Sequence, residues 1–543
     1  MIGSTTGLPR LLCVTGLFLS LLAVLVLTNV GRLDIIDGQI RYEVAANWLD
    51  SGQPILRDPL LARGTLAVKT ATASYSVYNA GASVTPMPLM LLSRLLPGHT
   101  IERDRFAFSM TGPIFGAAVS ALLALGYAML GLNLARSTAW AAIASLSTLW
   151  WPGSVTVFDQ NQHGFFLLAA ILLAWQSGRR DSFALAAFSG LTGGLLVAFQ
   201  ENYLLLLPLI GLPVLARSPE SGTPWRMFRQ SPDRQGLLRY SLFGLCCGVG
   251  LLLFFSFNQW RFGALLQPNR VGDPDLFWGN PLAAFVSLIA SPGKSIFLFS
   301  PPIVLAFIGV RGLFALAPML VATIAGITIV HVLVIIQLAF FGGDWCWGPR
   351  YLLILTPLWA LTFPFATTRL RRPIVSALVV AGFAVQLMGI SLDYQRFFFE
   401  HNLPPFFWVD QWSYFKQSQF LSRPGEIFSL IRDGIPPEAR QFSPTPQAQV
   451  TYTPLGPPDY RRDGARWVRL FTVFHTPRPW PFWMSAIESE RRPVNGVALG
   501  TTCTAIFLVG LGLIRMGLHP RSVQLASDAR RKFPLPNRRS PHE

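Results

Sequence analysis

Long apolar runs alternate with polar connections along almost the whole chain. A helix needs about twenty apolar residues to cross the hydrocarbon core of a bilayer. Runs that predict such spans lie at about residues 11–30, 106–133, 138–152, 163–177, 183–199, 203–216, 240–257, 295–311, 313–340, 351–367, 374–392 and 496–515. This pattern predicts an all-α polytopic membrane protein with about twelve transmembrane helices.

A different pattern lies between the first two predicted spans. In DIIDGQIRYEVAANWLDSGQPI (34–55), Ile40, Val44 and Trp48 recur every fourth residue, which indicates one apolar face of a helix. A helix with one apolar and one polar face is suited to lying in the membrane interface. Asp37 stands at its start, where a carboxylate can cap the first turn. The same acid can serve as a base at the membrane surface, and the two roles are compatible.

Residues 393–495 interrupt the apolar pattern near the end of the chain. They contain many prolines and aromatic residues, as in NLPPFFWVDQWSYF and HTPRPWPFWM. Because proline breaks helices, this composition argues against long helices and predicts an irregular external segment. The predicted organisation is a transmembrane unit at 1–392 that includes the loop 31–105, the segment 393–495, a last helix at 496–516 and a basic tail at 517–543.

Charge orients the predicted spans. The formal net charge is +17, from 44 Lys and Arg against 27 Asp and Glu. Arginines occur in alternate connections and in the tail, whereas the short connections 153–162 and 200–202 contain none. The positive-inside rule therefore predicts that both termini are cytoplasmic in a multi-pass plasma membrane protein. Nucleic-acid binding is excluded as a function class, because no basic soluble domain with interleaved aromatics is present.

Ionisable residues collect on the predicted outer side. The acids there include Asp34, Asp37, Asp159, Glu201 and Asp344. The cations at this side are Lys69, Arg261, Lys294 and Arg350. Arginine suits phosphate because its planar guanidinium can bind two oxygens. Their convergence on one face predicts a functional site at the outer boundary of the membrane.

Two tryptophans and two histidines near the ends or inside the predicted spans have a structural interpretation, and three of them have a functional one as well. Trp345 and Trp347 are typical of the interfacial aromatic belt, although they would also serve for sugar stacking. His331 near mid-span favours a structural role. His163 at a span edge has a structural interpretation and a functional one, as a ligand for an acceptor or a metal, and its spacing from Asp159 leaves a pairing of the two open. No cysteine lies in 393–495, so the sequence predicts no disulfide framework there.

Five stretches resemble the GT-C glycosyltransferases that use polyprenyl-phosphate sugars, such as protein O-mannosyltransferases and aminoarabinose transferases. DGQIRYEVAANWL (37–49) is similar to their Asp-Glu-x-x-Tyr-x-x-x-Ala pattern through Asp37, Tyr42 and Ala46, with Gly38 in place of the Glu. The other four are SYSVYNAGASVTPMPLMLLSRLL (74–96), NQWRFGALLQ (258–267), SPGKSIFLFSPPIVLA (291–306) and GDWCWGPRYLLILTPLW (343–359). The resemblance covers roughly 31–392.

The resemblance implies a GT-C-like bundle with interfacial helices in the first outer loop. It further implies transfer of a sugar from a polyprenyl-phosphate donor to an extracytoplasmic lipid, glycan or protein, by a single inverting displacement. Asp37 would be the base, with Asp34 as the second choice. The implied donor-phosphate residues are Arg350, Arg261, Lys294 and Lys69. The implied substrate-binding residues are Tyr42, Tyr75, Asp159, Glu201, Asp344 and Trp345.

Three alternatives remain open at this stage. Twelve spans also suit a secondary transporter or lipid flippase, although transporters place functional charges near the bilayer midplane. Gly38 in place of the paired acid leaves room for a GT-C-like scaffold without activity. A divalent metal on Asp37 and a second acid is the remaining cofactor hypothesis.

Overall fold

The computed structural model describes most of the transmembrane part of the chain. The described residues are 7–29, 31, 33, 35–58, 67–215, 233–266, 280–338, 340–343, 346–392, 394, 397, 413–433 and 496–519. Asp34, Asp344, Trp345 and the basic tail beyond 519 therefore lie outside the described residues, as does most of 393–495.

Twenty-two α-helices and one small sheet form the described structure. The first loop and its flanks contain α1 (Gly7–Leu27), α2 (Ile36–Ser51), β1 (Ala67–Lys69), β2 (Ser74–Ser76), α3 (Gly81–Val84), α4 (Met87–Leu95) and α5 (Ile101–Ser109). The central helices are α6 (Thr111–Met129), α7 (Leu134–Leu146), α8 (Trp150–Ser154), α9 (Gln160–Arg180), α10 (Phe183–Val197), α11 (Leu207–Gly211), α12 (Arg234–Phe262), α13 (Pro281–Ala290), α14 (Ile296–Phe299), α15 (Val304–Leu316) and α16 (Pro318–Ile335). The last are α17 (Thr356–Ala360), α18 (Phe363–Ala366), α19 (Arg372–Ser391), α20 (Ser413–Lys416), α21 (Gln419–Asp433) and α22 (Gly496–Leu518). Short 3₁₀ turns cover Glu201–Leu206, Leu212–Leu215, Pro301–Ile303 and Arg350–Leu355.

The fold is that of an all-α polytopic membrane protein, as predicted. Among the described residues, six helical segments are long and apolar enough to cross a membrane: Gly7–Leu27, Arg103–Met129, Arg234–Phe262, Pro318–Ile335, Arg372–Ser391 and Val497–Leu518. Of the other predicted spans, 163–177 lies within the 21-residue helix α9, and the rest contain shorter helices or turns. Prolines explain two of these breaks: Pro301 and Pro302 interrupt 295–311, and Pro357 and Pro364 divide 351–367.

The first and last long helices pack against each other through small residues. A Cβ added at Gly16 of α1 would lie 2.5 Å from the carbonyl oxygen of Gly510 in α22. Glycine at both positions lets the two backbones approach closely, which is how helices associate in lipid without a hydrophobic driving force. The rest of α22 is largely exposed, as expected of a helix whose other faces meet lipid.

The loop between α1 and α5 forms a cap of short helices and a two-stranded sheet. The predicted helix in 34–55 is confirmed as α2, and its apolar residues Ile40 and Val44 are buried with Leu56. β1 and β2 pair antiparallel, with Val68 opposite Tyr75. Gly81 at the start of α3 lies against Phe199, since a Cβ there would meet that ring at 2.7 Å. The cap is thereby held on the central helices.

The expectation of an irregular segment at 393–495 is wrong for its described part. α21 runs for fifteen residues with Pro424 inside it, and α20 precedes it. This part contacts the transmembrane unit at two points. The Gly293 amide donates a hydrogen bond to the Tyr414 carbonyl, and the Arg423 guanidinium lies 5.4 Å from the Trp347 ring centroid. Such packing offsets the backbone hydrogen bond that the proline removes.

Candidate active site

Asp37 lies in the first turn of α2 with its side chain directed to other segments. The interpretation of Asp37 as an N-cap is wrong: the cap position is Ile35, and no side chain caps this helix end. The Asp37 Oδ1 atom accepts a hydrogen bond of 2.6 Å from the Tyr78 hydroxyl. Its Oδ2 atom lies 3.6 Å from Arg350 Nη1. The carboxylate is therefore positioned by a phenol and a guanidinium and is partly open to solvent.

Arg350, in the stretch GDWCWGPRYLLILTPLW (343–359), begins a 3₁₀ turn. Its guanidinium carbon lies 4.1 Å from the Phe158 ring centroid, and Nη2 lies 3.3 Å from the Tyr351 hydroxyl. Gly343 has a φ of +79°, and a Cβ there would lie 2.6 Å from the Arg350 Cβ. Glycine is thus required at 343, both for the left-handed backbone and for the space that Arg350 occupies.

A second acid, Asp159, lies beside the first. Its Oδ2 atom is 3.0 Å from Arg41 Nη2 and 3.3 Å from His163 Nε2, so Asp159 and His163, whose pairing the sequence left open, do lie together. Burial raises the pKa of the Asp159 carboxyl, but the charges on Arg41, His163 and Arg350 outweigh burial and hold that pKa well below its usual range. Asp159 is therefore a fixed anion at neutral pH rather than a proton acceptor.

Tyr78 connects the two acid–cation groups. Its hydroxyl binds Asp37, while the guanidinium of Arg41 lies 4.4 Å from its ring centroid. His163 extends the network inward, because its Nδ1 is 2.7 Å from the Tyr203 hydroxyl. The charged cluster is thus continuous from Arg350 through Asp37 and Tyr78 to Arg41 and Asp159.

A narrow cavity of about 40 Å³ adjoins this cluster at Arg350. Its walls are mainly apolar and include Thr28, Pro152, Phe158, Trp347 and Tyr394. Trp347 is buried against Phe299, with ring centroids 4.9 Å apart, so its expected place in the interfacial belt is wrong. The guanidinium therefore lies where a polar cluster meets an apolar recess.

Two of the cations that were predicted to bind the donor phosphate donate hydrogen bonds to backbone carbonyls instead. Arg261 Nη1 donates to the carbonyls of Ser76 and Tyr78 at 2.9 and 2.8 Å. Lys294 Nζ lies 3.2 Å from the Cys346 carbonyl and 2.9 Å from that of Gly348, and the residue is 2% exposed. Both side chains anchor segments that carry site residues, which differs from the predicted contact with a ligand phosphate. Lys69 is exposed on β1.

The remaining predicted substrate residues are dispersed. Tyr42 packs against Phe108 and lines a different cavity, and burial raises the pKa of Tyr42 to about 12. Tyr75 lies on β2 against the Phe262 ring. Glu201 accepts a hydrogen bond of 2.8 Å from Asn79 Nδ2. Asp344, Trp345 and the alternative base Asp34 lie outside the described residues.

Sequence reasoning missed Tyr78 and Arg41. Tyr78 stands in a stretch quoted for its family resemblance, yet nothing local marks it as the partner of Asp37. Arg41 follows Asp37 by four residues, a spacing that places both on the same side of a helix. This four-residue spacing could have indicated from the sequence that Arg41 lies near Asp37. For the metal hypothesis, no group of three or more His, Cys, Asp or Glu side chains lies together in the described part of the chain.

Comparison with known proteins gives matches in overall structure alone. No protein-family model matches the chain, and no curated protein does. ArnT from Cupriavidus metallidurans bound to undecaprenyl phosphate is similar at a TM-score of 0.44 and 12% identity, over 92% of this chain and 76% of that one. The apo state of the same protein gives a TM-score of 0.43 and 12% identity, over 94% and 76%. Similarity at this level does not by itself define a family or an activity.

Proposed function

We propose that this protein is a GT-C-type membrane glycosyltransferase that transfers a sugar from a polyprenyl-phosphate donor to an extracytoplasmic lipid, glycan or protein. The single observation that carries the proposal is the position of the Asp37 carboxylate between the Tyr78 hydroxyl and the Arg350 guanidinium. This combination provides a proton acceptor and a phosphate-binding cation within a few ångströms. The sequence resemblance supplies the substrate class.

The reaction follows from these two groups. The acceptor hydroxyl oxygen attacks the anomeric carbon of the donor sugar, and the bond from that carbon to the phosphate oxygen breaks. The proton of the acceptor passes to the Asp37 carboxylate. The departing lipid phosphate keeps the bonding electron pair, and the guanidinium of Arg350 stabilises its developing charge. One displacement of this kind inverts the configuration at the anomeric carbon.

The neighbouring acid has a different task in this proposal. Asp159 is held ionised by Arg41 and His163, so it fixes the position of Arg41 against the Tyr78 ring. Tyr78 is in turn oriented toward Asp37. The apolar recess beside Arg350 is suited to a hydrocarbon part of the donor that adjoins its phosphate.

The position of the charges favours this enzyme over the transporter alternative. Asp37 lies in the first turn of α2 and Arg350 begins a 3₁₀ turn, so neither lies in the middle of a long apolar helix. A transporter would place such groups at the midplane between structural repeats. We assign the site to the periplasmic face and both termini to the cytoplasm on the charge asymmetry of the connections.

A genetic comparison tests the proposal. Envelope glycans and lipids would be profiled by mass spectrometry in cells that lack this gene and in cells complemented with the parent protein or Asp37→Asn. We expect one glycosylated species to disappear in the deletion, to return with the parent and to stay absent with Asp37→Asn. Identical profiles in all strains, with the protein present in the membrane, would refute a transferase.

A further inference from the structure

Arg261 is a buried cation in a motif that the proposed reaction does not use. The stretch NQWRFGALLQ (258–267) resembles a family element, and the resemblance implied that Arg261 binds the donor phosphate. The residue lies in the last turn of α12 and is 4% exposed. A buried guanidinium is costly unless its donors are used. The partners of these donors therefore indicate its role.

The Arg261 guanidinium joins the end of α12 to the segment that follows β2. Its Nη1 donates to the carbonyl oxygens of Ser76 and Tyr78, at 2.9 and 2.8 Å. Its Nη2 donates to Asn258 Oδ1 at 2.8 Å, one helical turn away, which fixes the plane of the guanidinium. The Phe257 ring centroid lies 4.0 Å from the guanidinium carbon. The Asn-x-x-Arg spacing thus holds the guanidinium in the orientation that binds two neighbouring carbonyls.

Tyr78 lies where this contact reaches the candidate active site. It follows β2 by two residues and belongs to neither strand. The two carbonyls that Arg261 binds flank Val77, so the guanidinium fixes the backbone that leads into Tyr78. At the far end of the side chain, the Tyr78 hydroxyl donates to Asp37 Oδ1 at 2.6 Å. Arg261 and Asp37 therefore hold the two ends of one tyrosine.

A second arginine contacts the same tyrosine from another element. The Arg41 guanidinium lies 4.4 Å from the Tyr78 ring centroid, and Arg41 belongs to α2, as Asp37 does. It ties the ring to the helix that carries the acid. Arg261 belongs to a long transmembrane helix and contacts the backbone, so replacing it would release the backbone and leave the ring contact in place.

We propose that Arg261 is a positioning residue that sets the Tyr78 hydroxyl against the Asp37 carboxylate. The inference rests on the proposed function, in which Asp37 is the base. Hydrogen bonds between oxygens span only about 2.5–3.0 Å, and catalytic groups must be held within about 0.5 Å of their productive geometry. A tyrosine side chain has few rotatable bonds, so a displaced backbone carries its hydroxyl with it. Loss of the Arg261 contacts would therefore move the hydroxyl away from Asp37.

Positioning and phosphate binding predict different changes in the kinetics. A cation that binds the donor phosphate contributes to the KM for the donor, whereas a residue that acts through Tyr78 contributes to kcat. We expect Arg261→Lys to lower kcat roughly tenfold, as Tyr78→Phe does, with the donor KM within about twofold of the parent. A roughly tenfold rise in donor KM at unchanged kcat would overturn the proposal.

A double-mutant cycle tests whether Arg261 acts through Tyr78. Both single variants lose the same hydrogen bond, so Arg261→Lys combined with Tyr78→Phe should keep the kcat of Tyr78→Phe within about twofold. Independent roles would multiply the two losses to roughly 100-fold, and that result would overturn the proposal. Asn258→Leu is the second variant if Arg261→Lys folds poorly, because it keeps the arginine and removes the oxygen that orients it. It should behave in the cycle as Arg261→Lys does.

Arg239→Lys is the matched control on the same helix. Arg239 is 1% exposed and lies about 33 Å from Arg261 along α12, at a rise of about 1.5 Å per residue. It donates to Asp181 Oδ1 at 2.8 Å and to the Val214 carbonyl at 3.5 Å. Arg239→Lys should lower the thermal stability and leave kcat per folded protein as in the parent. Equal losses of kcat in Arg239→Lys and Arg261→Lys would overturn the proposal, because destabilisation of α12 would then explain both.

Fluorine NMR gives a readout that does not require transfer. With 3-fluorotyrosine incorporated at position 78, Asp37→Asn should shift the resonance, because an amide oxygen is a weaker acceptor than a carboxylate. Arg261→Lys should shift it toward the Asp37→Asn position, whereas Arg239→Lys should leave it at the parent position. A parent-like resonance in Arg261→Lys that is folded by gel filtration and thermal unfolding would overturn the proposal. An inactive parent with the expected shifts would refute the transferase and still leave Arg261 as the residue that positions Tyr78.

Discussion

Asp37 and Arg350 come from opposite parts of the transmembrane unit, yet Asp37 Oδ2 lies 3.6 Å from Arg350 Nη1. Asp37 lies in the first turn of the cap helix α2, whereas Arg350 ends the GDWCWGPR stretch and begins a 3₁₀ turn. Their approach places a carboxylate at the site where a lipid phosphate would bind. In the proposed mechanism the donor phosphate replaces the Asp37 carboxylate as the partner of the Arg350 guanidinium. The carboxylate is then available to accept the proton of the acceptor hydroxyl.

Replacing Asp37 by Asn should remove the proton acceptor and keep the shape of the side chain. We expect the transfer rate to fall by roughly 100-fold or more, the range for loss of general-base help, with normal protein abundance in the membrane. Transfer would be measured as radiolabelled sugar passed from a polyprenyl-phosphate donor. Asp34→Asn is the paired variant: if it abolishes transfer while Asp37→Asn does not, Asp34 is the base.

Tyr78→Phe should weaken catalysis without removing any charged group. The variant loses the 2.6 Å hydrogen bond to Asp37 and keeps the ring under Arg41. A hydrogen bond to a charged group is worth about 1.5–3 kcal/mol, so kcat should fall roughly tenfold or more. Steady-state kinetics would measure this. Tyr75→Phe serves as the control, and an equal effect of both variants would contradict the assigned role of Tyr78.

Arg350→Lys keeps the positive charge but loses the planar fork that binds two phosphate oxygens. We expect the KM for the donor to rise by roughly tenfold, which corresponds to about 1.4 kcal/mol, with a smaller effect on thermal stability. Donor titration with purified protein would measure it.

Arg261→Lys is the contrasting variant for Arg350. Because Arg261 donates to two backbone carbonyls, Arg261→Lys should lower thermal stability more than Arg350→Lys does. It should raise the KM for the donor less than Arg350→Lys does. If Arg350→Lys and Arg350→Ala both saturate with donor like the parent, Arg350 is a boundary charge without a role in donor binding.

Asp159→Asn should destabilise the protein, because it leaves the buried Arg41 without its anion. Breaking a buried ion pair by removing one partner costs about 3–5 kcal/mol. The depressed pKa of Asp159 means that its contribution is present above the unfolded pKa of about 3.9 and is lost as the pH falls below it. The parent should therefore lose stability below about pH 4, and Asp159→Asn should show a flatter acid dependence.

Thermal unfolding in detergent between pH 3 and pH 7 would measure this dependence. Asp50→Asn should change stability little, because Asp50 is 55% exposed and its partner Arg94 keeps a second acid, Asp104. Parent-like stability of Asp159→Asn across the range would contradict the role of Asp159 as the anion that holds Arg41.

Topology is tested by reporters fused at residue 440 and at the C-terminus. The distribution of arginines predicts that the two reporters lie on opposite sides of the membrane. An alkaline phosphatase and a fluorescent protein at each position would report the periplasmic and the cytoplasmic side. Equal signals at both positions would refute the predicted orientation.

The sequence by itself determined the features that depend on local periodicity. The apolar runs identified the chain as a membrane-spanning protein. The four-residue spacing of Ile40, Val44 and Trp48 identified helix α2. These predictions succeed because both bilayer thickness and helical pitch act on consecutive residues. The presence of Asp37 in the first turn of α2 follows from the same local pattern.

Only the tertiary structure decided which charged residues share a site. Lys294, Arg261 and Arg350 look alike in the sequence, each a cation near the end of an apolar run. Folding buries Lys294 and Arg261 on backbone carbonyls and brings Arg350 to Asp37. The difference arises from contacts between distant segments, which satisfy the hydrogen-bond donors of one cation and leave another beside an acid and a cavity. No local periodicity encodes those contacts, and so the partners Tyr78 and Arg41 became visible only in the fold.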